Sequence, residues 1–164
     1  MNKALEKDFE TLIQNNEFLI WKVCRVYKKE LQDRQDLFQE IVIQLWKSYP
    51  GFKGQSKVST WMYRVAIYIA IAGLRKQKNF IQFSEPDNLP STAGDVQYDD
   101  TKDKQLGHLY NAIAQLNEVE KAIIMLYLED KSYNEMEDIL GINQGNLRVK
   151  MNRIKDKLKQ IIKP

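Results

Sequence analysis

From Leu147 to Ile161 the chain interleaves two sets of side chains whose spacing sorts them onto different faces of one helix. Leu147, Met151, Ile154, Leu158 and Ile161 recur at alternating steps of four and three, the register of an apolar stripe. Arg148, Asn152, Lys155 and Lys159 follow similar steps on another side, with Val149 and Arg153 beside them and Gln144 and Asn146 just before. Guanidinium, ammonium and amide groups can all donate hydrogen bonds, and the guanidinium offers them as a planar fork. A stripe that anchors and a face of projecting donors is what a helix needs to lie in the DNA major groove.

The preceding residues are suited to positioning that helix. Tyr133, Met136, Ile139 and Leu140 supply the packing face of a shorter helix, which Gly141 closes where positive φ is cheapest. Asn143 then caps the second helix. The pattern is a helix-turn-helix, although an ordinary helical hairpin with solvated charges stays open on this segment alone. Glu137 falls where the two helices approach most closely and a small residue is expected. Its carboxylate must tilt toward solvent or meet a cation, and Lys150 is the expected partner.

A second constellation runs from Asp36 to Lys78. Leu37, Ile41 and Leu45, with Phe38 at their edge, form a buried stripe that leaves Asp36, Gln39, Glu40 and Gln44 outward. Pro50-Gly51 stops this helix, and a polar loop follows to Lys57. Beyond it Trp61, Tyr63, Arg64 and Tyr68 are interleaved with Lys53, Lys57, Arg75, Lys76 and Lys78. Aromatic faces among cations can stack unpaired bases, worth about 1–3 kcal/mol per base, while neutralising phosphates. The other possibility is a packed core with snorkelling lysines, and core-like spacing favours it for Trp61 and Tyr68.

Composition removes several classes of function. The 164 residues are 43% hydrophobic and 29% charged, as in a soluble globular chain. One His and the single Cys24 provide neither a zinc set nor a Cys/His nucleophile pair, so no metal or cofactor is expected. No Gly-rich phosphate loop is present. Tyr133, Glu135 and Glu137 could be imagined as acid–base groups, but nothing gathers them in a cleft. A non-enzymatic protein without a small-molecule substrate is expected. No signal peptide is visible after Met1, and the run Val65 to Leu74 falls short of the roughly 20 residues of a membrane span. A reducing cytoplasm fits.

Net charge is only +3, but it is unevenly placed. From Ser84 to Asp103 six carboxylates oppose Lys102, and from Asn146 onward seven cations oppose Asp156. Helical patterns cover Lys3–Asn15, Glu17–Lys29, Arg34–Ser48 and Ser59 or Thr60 to about Lys78. They resume near Lys104 with breaks at Leu116–Asn117, Asp130–Lys131 and Gly141. Between them lie Pro86, Pro90, Gly94 and most of the acids. The expected architecture is all-α: a helical domain over 1–78, an acidic flexible linker over 79–103, and a helix-turn-helix domain over 104–164. Such a tether reaches at most roughly 80 Å and averages about 25–30 Å as a coil.

Together the two stretches resemble the extracytoplasmic-function sigma factors, the smallest group of bacterial sigma factors. DLFQEIVIQLW is similar to that family's core-polymerase-binding helix, and FKGQSKVSTWMYRVA to its promoter-melting loop and helix. LNEVEKAIIMLYLEDKSYNEMEDILGINQGNLRVKMNRIKDKL is similar to its C-terminal DNA-binding domain. The resemblance implies a subunit that gives RNA polymerase promoter specificity and promotes strand opening. By it, Asp36, Leu37, Gln39, Glu40 and Trp46 meet the clamp helices of the largest polymerase subunit. The loop carrying Lys53, Gly54, Gln55, Ser56 and Lys57 captures a base flipped from the −10 element, braced by Trp61 and Arg64. Gln144, Asn146, Arg148, Val149, Asn152, Arg153 and Lys155 face the −35 element. The linker threads toward the RNA exit path. Core RNA polymerase, promoter DNA and an anti-sigma factor are the implied partners. Three positions depart from the family pattern: Glu137 replaces a small residue, Gln55 a frequent acid, and Tyr68 a frequent Asn. A self-sufficient helix-turn-helix regulator is the alternative.

Overall fold

A computed structural model of the chain describes residues 3–83 and 104–162, the side chains of 75–83 excepted. The described residues form eight α-helices and no strand. Helices α1 (Lys3–Asn15), α2 (Glu17–Tyr27), α3 (Leu31–Ser48) and α4 (Val58–Phe83) make one bundle. Helices α5 (Lys104–Ile113), α6 (Glu118–Leu128), α7 (Tyr133–Leu140) and α8 (Gln144–Ile162) make the other.

The apolar stripes go where their spacing sends them. Leu37, Ile41 and Leu45 of α3 are buried with Ile20 and Val23 of α2 and Met62, Ala66 and Ala70 of α4. Cys24 fills a small gap there, and burial pushes its thiol up to about 12, so it packs as a neutral group. In the second bundle Leu147, Met151, Ile154 and Leu158 of α8 are buried with Ile123, Leu126 and Met136. Ile161, at the end of the same stripe, is only partly buried.

Helix ends follow local chemistry. Asn117 and Ser132 open α6 and α7 with capping boxes closed by Glu120 and Glu135. Gly141 ends α7 at φ 72, in the left-handed region that favours glycine. The Asn143 side chain accepts from the Asn146 amide at 2.8 Å, capping α8 as expected. Two boundaries differ from expectation. Helix α3 begins at Leu31, three residues before Arg34, because Arg34 Nε donates to the Lys28 carbonyl at 2.9 Å and secures the tight connection. Helix α4 runs to Phe83, so the first five residues of the expected linker are helical. Nothing between Gly73 and Pro86 breaks a helix. The rest of the acidic linker, 84–103, lies outside the described residues.

The two bundles are docked on each other, α2 and α4 against α6 and α7. The Tyr27 hydroxyl donates to the Glu118 carbonyl at 2.6 Å, and burial, then the Glu118 charge, raises its pKa and keeps it a donor. Lys22 pairs with Glu129 at 2.6 Å, and the Arg25 guanidinium lies 4.1 Å from the Tyr110 ring centroid. The Lys22–Glu129 pair is partly exposed and contributes at most about 1 kcal/mol.

Candidate nucleic-acid interface

Three surfaces carry the residues singled out by sequence. The first is the outer side of α3, where Asp36, Gln39 and Glu40 are exposed beside Ile43. This face offers carboxylates around an apolar centre, a composition suited to a basic helical partner. Leu37 does not share it. At 4% exposure it points into the core, because it belongs to the same stripe as Ile41 and Leu45. Trp46 is half-buried, its ring 5.0 Å from that of Phe9, so much of its surface supports α1.

The second surface is an open cavity of about 370 Å³ between the end of α3 and the start of α4. Gln55, Ser56, Trp61 and Arg64 line it, together with Ser48, Gly51 and Phe52. Gly54 takes φ 75, which lets the loop turn tightly. Gln55 Oε1 accepts from the Lys53 amide at 2.9 Å, so the residue that departs from the family pattern braces the loop internally. Lys53 and Lys57, in the same loop, are exposed. Trp61 is 8% exposed, and Phe52 stacks on it at 4.8 Å and 21°. It is therefore both core and cavity wall. The structure corrects the expectation for Tyr68: it is 71% exposed, because it follows Arg64 by one turn on the outer side of α4. The side chains of Arg75, Lys76 and Lys78 lie outside the described residues.

Arg64 is where the two bundles meet. Its Nε and one Nη donate to the Asp138 carbonyl of α7 at 3.1 and 2.7 Å. The guanidinium that lines the cavity is thus held by the helix-turn-helix.

The third surface is α8. Asn146, Arg148, Val149, Asn152, Arg153 and Lys155 are exposed along it, and Gln144 is half-buried at its start. Arg148 lies over the Tyr133 ring at 5.2 Å and Lys155 over Tyr127 at 4.9 Å. Lys157 reaches Glu120 at 2.6 Å. Burial opposes the Glu120 charge, but bonds from Lys157 and the Asn117 amide outweigh it and hold its pKa below the ordinary value.

Family models coincide with these two bundles. One described as sigma-70 region 2 matches residues 12–80, and one described as sigma-70, region 4 matches 106–158. The chain is 25% identical over 162 residues to the ECF RNA polymerase sigma factor SigX of Bacillus subtilis, covering 91% of this chain and 80% of SigX. It is 24% identical to the ECF RNA polymerase sigma-E factor of Escherichia coli, covering 100% of this chain and 91% of that protein. The chain belongs to the extracytoplasmic-function sigma factor family. Its fold is shared with the sigma factor RpoE of Bartonella quintana, solved in complex with the anti-sigma factor NepR. That match has a TM-score of 0.79 and 19% identity, and covers 95% of this chain and 97% of RpoE.

In this sigma factor Glu137 does not meet Lys150. The Glu137 carboxylate, half-buried, accepts from Gln144 Nε2 at 3.5 Å. Lys150 sits six residues further along α8 and faces another way, lining a cavity with Arg153, Lys157 and Glu120. Sequence reasoning also passed over Ser48, Gly51 and Phe52 as cavity walls. The available signal was Phe52 itself, a large apolar side chain set between the Pro50-Gly51 break and a polar loop.

Proposed function

We infer that this sigma factor binds core RNA polymerase, recognises the −35 and −10 elements of a promoter and promotes their opening. One observation supports this most: a single chain carries both a projecting recognition helix and, on a separate bundle, a cavity walled by stacked aromatics and an arginine. A freestanding repressor or activator has use for the first but not for the second. Opening would draw on core binding, phosphate contacts and captured bases, with the chain itself catalysing no reaction. Flipping a base costs a few kcal/mol, which stacking in the cavity would offset.

The docked bundles cannot serve both elements at once. Helix α7 spans only about 12 Å at 1.5 Å per residue. Since it touches Arg64 and packs on α8, the recognition helix lies well within one DNA turn of the cavity. Elements a couple of turns apart, about 34 Å each, require the bundles to separate. Core polymerase is the proposed wedge, and an anti-sigma partner the proposed antagonist. Action in the cytoplasm follows from that role; no helix among the described residues is long and apolar enough to cross a membrane.

The acidic α3 face gives the test. Asp36→Lys with Glu40→Lys should abolish co-elution with core polymerase on gel filtration while leaving the fold intact, since both side chains are exposed. Undiminished co-elution would remove α3 from the contact.

A further inference from the structure

Glu137 stands where the two helices of the helix-turn-helix come together, and its carboxylate is used. Gln144 Nε2 donates to Glu137 Oε1 at 3.5 Å and to Asn134 Oδ1 at 3.4 Å. Both bonds are long, as suits one amide shared between two acceptors on α7. An ionised carboxylate can only accept, so the Gln144 side chain must turn its NH₂ toward α7. Its carbonyl oxygen is what remains to face outward. Gln144 is the first residue of α8, at the end that meets base edges in a helix-turn-helix.

We propose that Glu137 is a positioning residue for promoter reading: together with Asn134 it locks the Gln144 amide so that only an acceptor reaches the major groove. An unrestrained glutamine pairs bidentately with adenine, donating to N7 and accepting from N6. With its NH₂ engaged by α7, Gln144 can only accept. Cytosine N4 and adenine N6 offer donors in the major groove, while guanine O6 and thymine O4 present acceptors. Gln144 therefore admits cytosine or adenine with little preference between them and rejects guanine and thymine. The same face of α7 carries Tyr133 beneath Arg148, so one short helix supports two readers of α8.

This rests on the sigma-subunit role proposed above, and the experiment separates the two. Holoenzyme assembled from the full chain and core polymerase is used to select −35 sequences from a randomised promoter pool. The parent should return a defined −35 motif, and Gln144→Ala should flatten one position of it. At that position Glu137→Ala combined with Asn134→Ala, which removes both acceptors, should raise the adenine-over-cytosine ratio at least about fivefold, as the freed amide becomes bidentate. Glu137→Gln, whose amide oxygen can still accept from Gln144, should keep the parental ratio. A profile of the double variant identical to the parent, or one matched by Glu137→Gln, overturns the positioning role while the sigma assignment stands. A Gln144→Ala profile unchanged at every position also overturns it. Failure of the parental holoenzyme to select any motif overturns the sigma role itself.

Discussion

Trp61→Ala should weaken promoter opening roughly 5- to 150-fold and cost the free chain about 3–5 kcal/mol of stability, the usual range for emptying a buried aromatic site. Both effects come from the same ring. One side of it is packed in the core at 8% exposure, with Tyr49 at 6.2 Å. The Phe52 stack at 4.8 Å holds it as a wall of the cavity. On the proposed function, losing it would remove a platform for a flipped base, and with it about 1–3 kcal/mol of stacking. Arg64→Ala separates the two consequences, because Arg64 is exposed and supports no core. Among the described residues it holds nothing apart from the Asp138 carbonyl, so that variant should lose far less stability in urea than Trp61→Ala yet also lower the permanganate reactivity of promoter thymines. Parental reactivity in both variants, measured where Trp61→Ala is still folded, would show that the cavity captures no base.

Arg148→Ala should weaken holoenzyme binding by about 1–3 kcal/mol, roughly 5- to 150-fold, on promoters carrying the preferred base at one −35 position. On promoters altered at that position the loss should be small. The guanidinium is exposed, and Tyr133 beneath it limits its rotamers, so its donor fork is aimed before DNA arrives. Lys159 supplies the contrast. It is exposed near the end of α8, and Lys159→Ala should weaken all sequences alike and reduce the salt slope by about one phosphate contact. Binding measured against salt on matched and mismatched promoters distinguishes them. Equal losses on every sequence for Arg148→Ala would reassign it to the phosphate backbone.

Much of this arrangement was legible in the sequence, for local reasons. Helix periodicity marked Leu37, Ile41 and Leu45 as one stripe and Leu147, Met151, Ile154 and Leu158 as another, and all seven are buried. Gly141 and Asn143 announced the turn because positive φ and capping are properties of single residues. What escaped depends on distant neighbours. Tyr68 has the spacing of a core residue, and only the path of α4 leaves it outside. Leu37 stood both in the stripe and on the proposed polymerase face, and burial decides for the stripe. Lys150 was the nearest plausible cation for Glu137, yet a neutral amide at the start of α8 is closer. The docking of Arg64 on the Asp138 carbonyl joins residues 74 apart and leaves no periodic trace.

Run-off transcription tests the central claim most directly. Core polymerase supplemented with the purified chain should initiate at start sites that core alone ignores. Those sites should share paired elements a couple of helical turns apart, and initiation should vanish when either element is scrambled. Tight binding of the chain alone to duplex DNA, with no new start sites in the presence of core, would contradict it.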